Sequence, residues 1–493
     1  MNPSVLIIGT GIGGLTTALR LAKKGYRVRL VEKNDRPGGR LNQLQKDGFT
    51  FDTGPSFFSM SYEFEAFARE CGIRLPFDYR PVDPLYTVHF RNNPQPFRLY
   101  RDTHRLAEQF EHVEPQFEDK INRYLDSCRK LFDGTVDIVV KQNFDSFPDY
   151  VKKLAATDPS LLPVLFSSFW KQVCRYFSSD EARQIVSLVA FFLGGTPFET
   201  NGVYTLLSYT EFRHDGYYNV EGGMYRITEG LVSELAKENV PIDYRTEIVA
   251  AETDSSGLRG FVDREGARHS ADLYVVNADA AVFRGRIFGR KAYGENKLRR
   301  MKWTMGMLTF YIGLDCRLPA IALHNYYLGN NYRAYARRVF RRSDAAEKPY
   351  FYVNVVSRYN PGCAPEGGEA LFFVVPVPDL RFKPDWSDRD PVVDRILADF
   401  SLRIGFDIRP HIVSRTVYTP QDWAEQFNLY QGSGLGLAHS MMQVGALRPK
   451  NFDEVFGNVF YVGASTVPGT GLPMGVIGSK LVTERIEKKF PVG

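Results

Sequence analysis

The stretch "VLIIGTGIGGLTTALRLAKKGYRVRLVEKN", Val5 to Asn34, carries glycines and one acid at a spacing suited to holding a dinucleotide. The apolar run Val5 to Ile8 predicts a buried strand, and Leu15, Leu19 and Ala22 recur at helical spacing behind the glycines. Gly9 allows a sharp exit from the strand, Gly11 lets the backbone approach a pyrophosphate, and Gly14 lets helix and strand pack closely. The first amides of such a helix point at the phosphates, where the positive end of the helix dipole favours negative charge. Glu32 closes the second predicted strand, Val28 to Val31. A carboxylate there accepts hydrogen bonds from a ribose 2′-hydroxyl and repels a 2′-phosphate, which argues against NADP.

A second glycine-arginine turn follows in "NDRPGGRLNQLQKDGFTFDTGPSFF", where Gly38 and Gly39 again admit the backbone to a phosphate and Arg36 and Arg40 supply charge. An NAD enzyme has no use for this turn, whereas a longer, permanently held FAD has, because its tricyclic ring must reach another domain. FAD is therefore the expected cofactor. Acid–base candidates are few. Glu211 and Asp215, in and beside "GVYTLLSYTEFRHDGYY", are the candidate catalytic carboxylates, with Arg213 as a partner that tunes them; the competing reading makes them solvated helix charges. The eight histidines, His89, His104, His112, His214, His269, His324, His411 and His439, are scattered, with no Ser-His-Asp or His-x-x-His pattern.

These residues need a scaffold. Between Asp102 and Ala182 the pattern is helical, with Phe117, Ile121, Tyr124, Leu125 and Leu131 at three- and four-residue intervals. Val220 to Asp254 reads as glycine turn, amphipathic helix and strand, with backbone near Ile248 placed for adenine, and Ala271 to Asp279 as another buried strand. From Thr304 onward "MLTFYIGLD", "YFYVNVVS", "ALFFVVPVP" and "IVSRTVYTP" predict an antiparallel or mixed sheet. Asn458 to Ile486 closes the chain as strand, glycine turn and helix, with Gly469, Gly471 and Gly475 leaving the backbone bare. The fold class is thus α/β: a discontinuous Rossmann-type FAD-binding domain, a mixed β-sheet substrate domain and a helical, membrane-contacting insertion. The expected division is FAD-binding at 1–84, 220–300 and 441–493, substrate-binding at 85–146 and 301–440, and the helical insertion at 147–219.

Composition sets the outer limits. The 493 residues carry a formal charge of +5, too mild to imply nucleic acid but compatible with an anionic membrane surface. Five cysteines, Cys71, Cys128, Cys174, Cys316 and Cys363, are widely spaced with no C-x-x-C pair and no partnering histidine cluster, so neither a disulfide framework nor a metal site is expected, and the setting read from them is cytoplasmic. No secretory leader is read, because the first apolar run goes straight into the nucleotide turn, and no stretch reaches the ~18 residues a membrane span requires. Phe147 to Phe198 sets Lys152, Lys153, Lys171 and Arg175 among Phe166, Phe169, Trp170 and Phe177, a mixture suited to an interfacial helix that dips into lipid without crossing it; the competing reading is an ordinary buried helix pair. Aromatic residues make up 14% of the chain, and their density in its middle suits a long apolar channel.

The segments "GFTFDTGPS", "FLGGTPFETNGVYTLL", "APEGGEALFFVVPVPDL", "QVGALRPKN" and "YVGASTVPGTGLPMGVIGSKL" follow one another as in the bacterial and fungal type of phytoene desaturase, the carotenoid desaturase and isomerase family of amine-oxidase-like flavoproteins, which the whole chain resembles. The resemblance implies FAD contacts from Gly9, Gly11, Ile12, Gly13, Gly14, Glu32, Lys33, Gly39 and Arg40 at the N-terminus, from Ile248, and from Gly463, Ala464, Thr466, Gly471, Leu472 and Pro473 near the C-terminus. It also implies a long-chain polyene hydrocarbon substrate, hydride passing to flavin, and peripheral attachment to the inner face of a membrane. Many members of that family carry a histidine before the proline of the last motif, whereas this chain has Val467-Pro468. The alternatives are a redox-neutral carotenoid cis-trans isomerase and a non-enzymatic escort protein of the same fold.

Overall fold

The computed structural model describes residues 2–155, 157–255, 257–319, 321–342 and 350–492. Its first layer is a parallel sheet of five strands in the order Val459–Tyr461, Leu273–Val276, Ser4–Ile8, Arg27–Val31 and Ile242–Asp243. Val5 stands opposite both Leu273 and Val28. The strands Ser4–Ile8 and Leu273–Val276 read as nearly unbroken apolar runs because both faces of the sheet are covered, one by helices and the other by the antiparallel strands Ile248–Asp254 and Gly257–Asp263 with the helix Ala280–Arg286. Three distant parts of the chain therefore share one sheet, and all five strands point their C-terminal ends the same way.

The helix Ile12–Lys23 leaves the first strand through Gly9, whose φ of 95° only glycine adopts without strain. It is wedged between the helices Arg226–Lys237 and Leu472–Lys489, so that Gly13 through Leu21 are all buried. Arg20 is buried with them and is satisfied by Ser479 Oγ at 2.8 Å and Glu70 at 2.6 Å, with its guanidinium over the Phe67 ring. A Cβ on Gly14 would lie 2.3 Å from the Gly9 carbonyl oxygen, so the helix could not sit this close to the strand with any other residue there.

The second layer is a mixed sheet of seven strands ordered Ile412–Tyr418, Gly306–Leu314, Glu369–Val377, Phe351–Val355, His324–Leu328, Tyr86–Phe90 and Phe97–Leu99. Neighbours are antiparallel except for His324–Leu328 against Tyr86–Phe90. Strand alternation divides its side chains. Leu308, Phe310, Ile312, Phe373 and Val375 pack against Val392, Ile396 and Phe400 of the helix Arg389–Ile404. Their sequence neighbours Met307, Thr309, Phe372 and Val374 turn to the other face and line a cavity. Cross-strand pairs set the register: Phe310 stacks on Phe373 at 4.5 Å and Tyr311 on Phe372 at 5.1 Å.

Helices Thr103–Phe110 and Phe117–Thr135, followed by a series of short helices, close over that cavity face. Phe117, Ile121, Tyr124, Leu125 and Leu131 are buried, as their spacing predicts. The insertion differs from the interfacial face read from its sequence. Phe169 and Phe177 are core residues, 0% and 2% exposed, and Trp170 packs between Phe198 and Tyr332, whereas Phe166 is 73% exposed. Among the described residues no helix is long and apolar enough to cross a membrane.

Gly14→Ala is expected to lower stability by about 1–3 kcal/mol, because the new methyl overpacks a backbone contact. Gly362→Ala, where a Cβ meets nothing within 4 Å, is expected to change stability by less than about 0.5 kcal/mol. Urea unfolding of the two variants beside the parent checks both.

Candidate active site

Two helices begin at one point above the C-terminal edge of the parallel sheet. Ile12–Lys23 starts after Gly11 and Leu472–Lys489 after Gly471; neither has a side-chain cap, and neither carries an acid in its first turn. The two starts touch, since a Cβ on Gly475 would lie 2.7 Å from the Ile12 side chain and 3.4 Å from the Gly13 nitrogen. Uncapped first-turn amides on two abutting helices make a strongly anion-attracting crevice. Asn277, which follows the strand Leu273–Val276, braces it: its Nδ2 donates to the Val462 carbonyl at 3.0 Å, while Oδ1 lies beside Gly11 with no hydrogen-bond partner.

Charged groups around the crevice are each held in place. Glu32 is buried and accepts from the Thr10 amide at 2.8 Å, the Thr10 hydroxyl and the Asn34 amide. Arg40 donates to the Gly434 carbonyl at 2.9 Å; burial lowers its pKa, and Asp279 opposes that shift. Asp279 caps the helix Ala280–Arg286 through the Ala281 and Val282 amides, takes the Ser465 hydroxyl, and is pushed up by burial. Arg448 is fully buried and donates to five carbonyls, those of Leu437, Ala438, Gln443, Ala464 and Thr466, at 2.6 to 3.2 Å. Burial brings its pKa down to about 10, so it stays a cation at neutral pH and ties the 437–443 segment to the turn that carries Gly463 and Ala464.

The crevice opens into an apolar chamber, and both belong to one cavity of about 860 Å³. Phe57 stands at the centre of the chamber's rings, 4.7 Å from Tyr217, 5.0 Å from Phe192 and 4.0 Å from His324, with Tyr326 and Tyr352 nearby. Burial lowers the His324 pKa to about 3, and its neutral ring pairs through Nδ1 with the Tyr352 hydroxyl at 2.6 Å. His439 lies at the boundary between crevice and chamber, where its Nε2 accepts from the Thr470 amide at 3.3 Å. Burial, with the Arg448 charge second, holds that imidazole neutral.

The candidate catalytic residues are separated by the fold. Glu211 lines the chamber, 3% exposed, with Oε1 unpartnered; burial pushes its pKa up to about 8, partly offset by the Tyr86 and Tyr217 hydroxyls. Asp215 is also buried but lies outside the cavity wall, where it accepts from the Ser61 amide and hydroxyl at the start of the helix Ser61–Glu70. The expectation that Arg213 tunes these acids is corrected, because its guanidinium turns away to Asp126 at 2.7 Å and to Asn122. Of the expected cofactor contacts, Gly9, Gly11, Ile12, Gly13, Glu32, Lys33, Gly39, Arg40, Ile248, Gly463, Ala464, Gly471, Leu472 and Pro473 line the cavity. Gly14 and Thr466 stand behind the wall, the first packed on Gly9 and the second donating to the Pro449 carbonyl at 2.8 Å. Gly469 faces His439 instead of the crevice. Sequence reasoning singled out neither Asn277 and His439 nor the chamber rings; "VVNAD" and "GLAHS" are short polar interruptions after apolar or glycine runs, and only the fold gives them a shared address. Outside the cavity wall, Asp315, Cys316 and His411 bring their donor atoms within 4.8 Å of one another, a cysteine–histidine proximity that sequence separation concealed.

The sequence profile of the flavin-containing amine oxidoreductases matches residues 12–486. The chain belongs to that family. Among its relatives, a zeta-carotene-forming phytoene desaturase from Myxococcus xanthus is 33% identical across 98% of this chain and 93% of that protein. A phytoene desaturase from Fusarium fujikuroi is 30% identical across 99% of this chain and 90% of its own length. An oxidoreductase from Methanosarcina mazei shares the fold, with a TM-score of 0.62 at 17% identity over 98% of this chain and 100% of that one. The flavoprotein's cofactor is FAD, and the residues fit it: a glycine cradle free of side chains, two uncapped helix starts for a pyrophosphate, and the orphaned Asn277 Oδ1 at the turn.

The raised Glu211 pKa has a consequence for stability. Between about pH 4.5, where an ordinary glutamate titrates, and about pH 8 the native protein holds a proton that the unfolded chain releases, so the stability this group contributes falls as pH rises through that window. Relative to Glu211→Gln, the parent is expected to lose stability with a slope approaching about 1.4 kcal/mol per pH unit in the middle of that window. Urea titrations from pH 5 to 8 on both proteins read the difference.

Proposed function

We propose that this flavoprotein is a carotenoid desaturase acting on phytoene or a related polyene hydrocarbon. The observation that carries this reading is the single cavity in which a polar dinucleotide crevice runs into a chamber walled by Phe57, Phe192, Tyr217, Tyr326 and Tyr352. A polyene has no polar handle, so a site that selects it must do so with apolar and aromatic surface and few polar groups. The relatives named phytoene desaturases support the same substrate class.

In this reading the amides after Gly11 and Gly471 hold the pyrophosphate, and Arg40 adds positive charge. Glu32 takes the ribose hydroxyls, and backbone at Ile248 meets the adenine. FAD, when bound, supplies the acceptor for the hydride that leaves the polyene. The chamber walls hold the chain in register and exclude water, so that charge developing on the polyene meets ring faces instead of solvent.

Delivery of so insoluble a substrate favours a peripheral membrane position on the cytoplasmic side. Exposed apolar side chains support it: Phe147 and Val151 on the helix Phe147–Ala155, and Met442 and Leu447 on the neighbouring 441–447 segment, are 54%, 44%, 72% and 40% exposed, with Lys152 beside them. The same helix packs against the 136–140 turn, whose Val136 and Val140 line the cavity, so the exposed apolar patch adjoins an element of the cavity wall.

Anaerobic mixing of the holoprotein with phytoene in liposomes is expected to bleach the flavin absorption and give a product lighter by two hydrogens. A product of unchanged mass with the flavin still oxidised would make the protein an isomerase, and no reaction with any polyene would overturn the reading.

A further inference from the structure

Among the described residues, four carboxyl side chains line the cavity: Glu32, Glu247, Asp279 and Glu211. Three are committed elsewhere. Glu32 is bound to the Thr10 and Asn34 backbone, Glu247 to Arg264 and Asn428, and Asp279 to two helix amides and Ser465. Among the described residues, Glu211 is the one of the four that meets neither a cation nor a backbone amide, and its Oε1 is left without a partner. It sits in a short helical turn, Thr210–His214, that follows the Leu206–Tyr209 helix, and this turn presents it to the chamber beside the ring of Tyr217.

Resting on the desaturase reading, we propose that the Glu211 carboxylate is the proton acceptor of the reaction. Two neighbouring C–H bonds of the polyene break. One electron pair leaves with its hydrogen as the hydride that FAD accepts; the other pair stays on carbon as the new π bond, and its proton passes to Glu211, which becomes a neutral acid. A desolvated carboxylate with no cation to share its charge has a high affinity for that proton. While the hydride departs, the same negative charge opposes the positive charge spreading over the polyene, in a chamber where water does not screen it.

Among the described residues, the titratable groups set against Glu211 are phenols: Tyr86 from the strand Tyr86–Phe90, Tyr217 from the loop after its own turn, Tyr326 from the strand His324–Leu328 and Tyr124 from the helix Phe117–Thr135. Tyr86 and Tyr217 favour the charged form and so lower the pKa that burial raises. His439, at the chamber's edge, is the poorer proton holder, because its protonated ring would be a second buried cation near Arg448.

The test uses the holoenzyme and three variants. Glu211→Gln is expected to keep FAD absorption and polyene binding and to slow product formation by about a hundredfold or more. Without substrate, the infrared carbonyl band of a protonated carboxylic acid is expected to fade as pH rises through about 8 in the parent and to be missing from Glu211→Gln. Tyr86→Phe and Tyr217→Phe remove groups that stabilise the carboxylate, so each is expected to move both the infrared titration and the rising limb of the rate-against-pH curve to higher pH. A merely structural role would not move the two together. Glu211→Gln turning over phytoene at the parent rate overturns the proposal, as does a rate limb that stays put while the infrared titration shifts. Should Glu211→Gln lose its flavin, the two tyrosine variants decide alone. If the parent leaves every polyene untouched, the desaturase reading fails and this proposal with it, a result distinct from a parent that works and a Glu211→Gln that works equally well.

Discussion

Two helix N-termini, separated by more than 450 residues of chain, begin side by side with no side-chain cap and no acid in either first turn. Much of the remaining architecture follows from this arrangement. An unpartnered pair of positive dipole ends is unfavourable unless an anion or backbone acceptor answers it. The fold brings the starts together by stacking both helices on one parallel sheet, whose strands come from residues 4–8, 27–31, 242–243, 273–276 and 459–461. Close approach of helix to strand then demands the smallest residue at position 14, and the turn at position 9 demands a positive φ.

The second constraint is desolvation. The chamber beside the crevice is built from alternate residues of the seven-stranded sheet and from the helices packed across it, and several of the polar groups around it are held by structural partners. Tyr352 pairs with His324 and Ser56, and Thr309 takes hydrogen bonds from Trp423 and Tyr311. In such a setting one uncommitted carboxyl group dominates the electrostatics, because nothing nearby neutralises it and little water reaches it. The polar crevice and the apolar chamber thus divide the labour: one grips a charged cofactor through backbone, the other accepts a hydrocarbon through shape.

The strand, turn and helix at Val5–Asn34 were legible because their signature residues lie close together in sequence; Gly9, Gly11, Gly14 and Glu32 carry their pattern within some thirty residues. The strands after Thr304 were legible for a similar reason, since alternation and β-branched or aromatic content are local signals. Glu211 shows where that legibility ends. Its sequence neighbours Arg213 and Asp215 are charged, so the segment reads as a polar helix face, yet the helical turn sends Glu211 inward, Arg213 to Asp126 and Asp215 to Ser61. Of the tyrosines that surround it, Tyr86, Tyr124 and Tyr326 come from strands and a helix far away in sequence. Phe169 and Phe177 illustrate the same limit: in a run of short helices the 3.6-residue period never lasts long enough to say which aromatic residues face inward.

The account stands on the two halves of the cavity being one space, so that a hydrocarbon in the chamber is felt by the cofactor in the crevice. A fully conjugated polyene, with no hydrogen pair left to give, isolates this point from catalysis. Titrated into the oxidised holoprotein, it is expected to perturb the flavin absorption spectrum saturably and at one polyene per flavin. Saturable binding of the polyene that leaves the flavin spectrum unchanged would contradict the account.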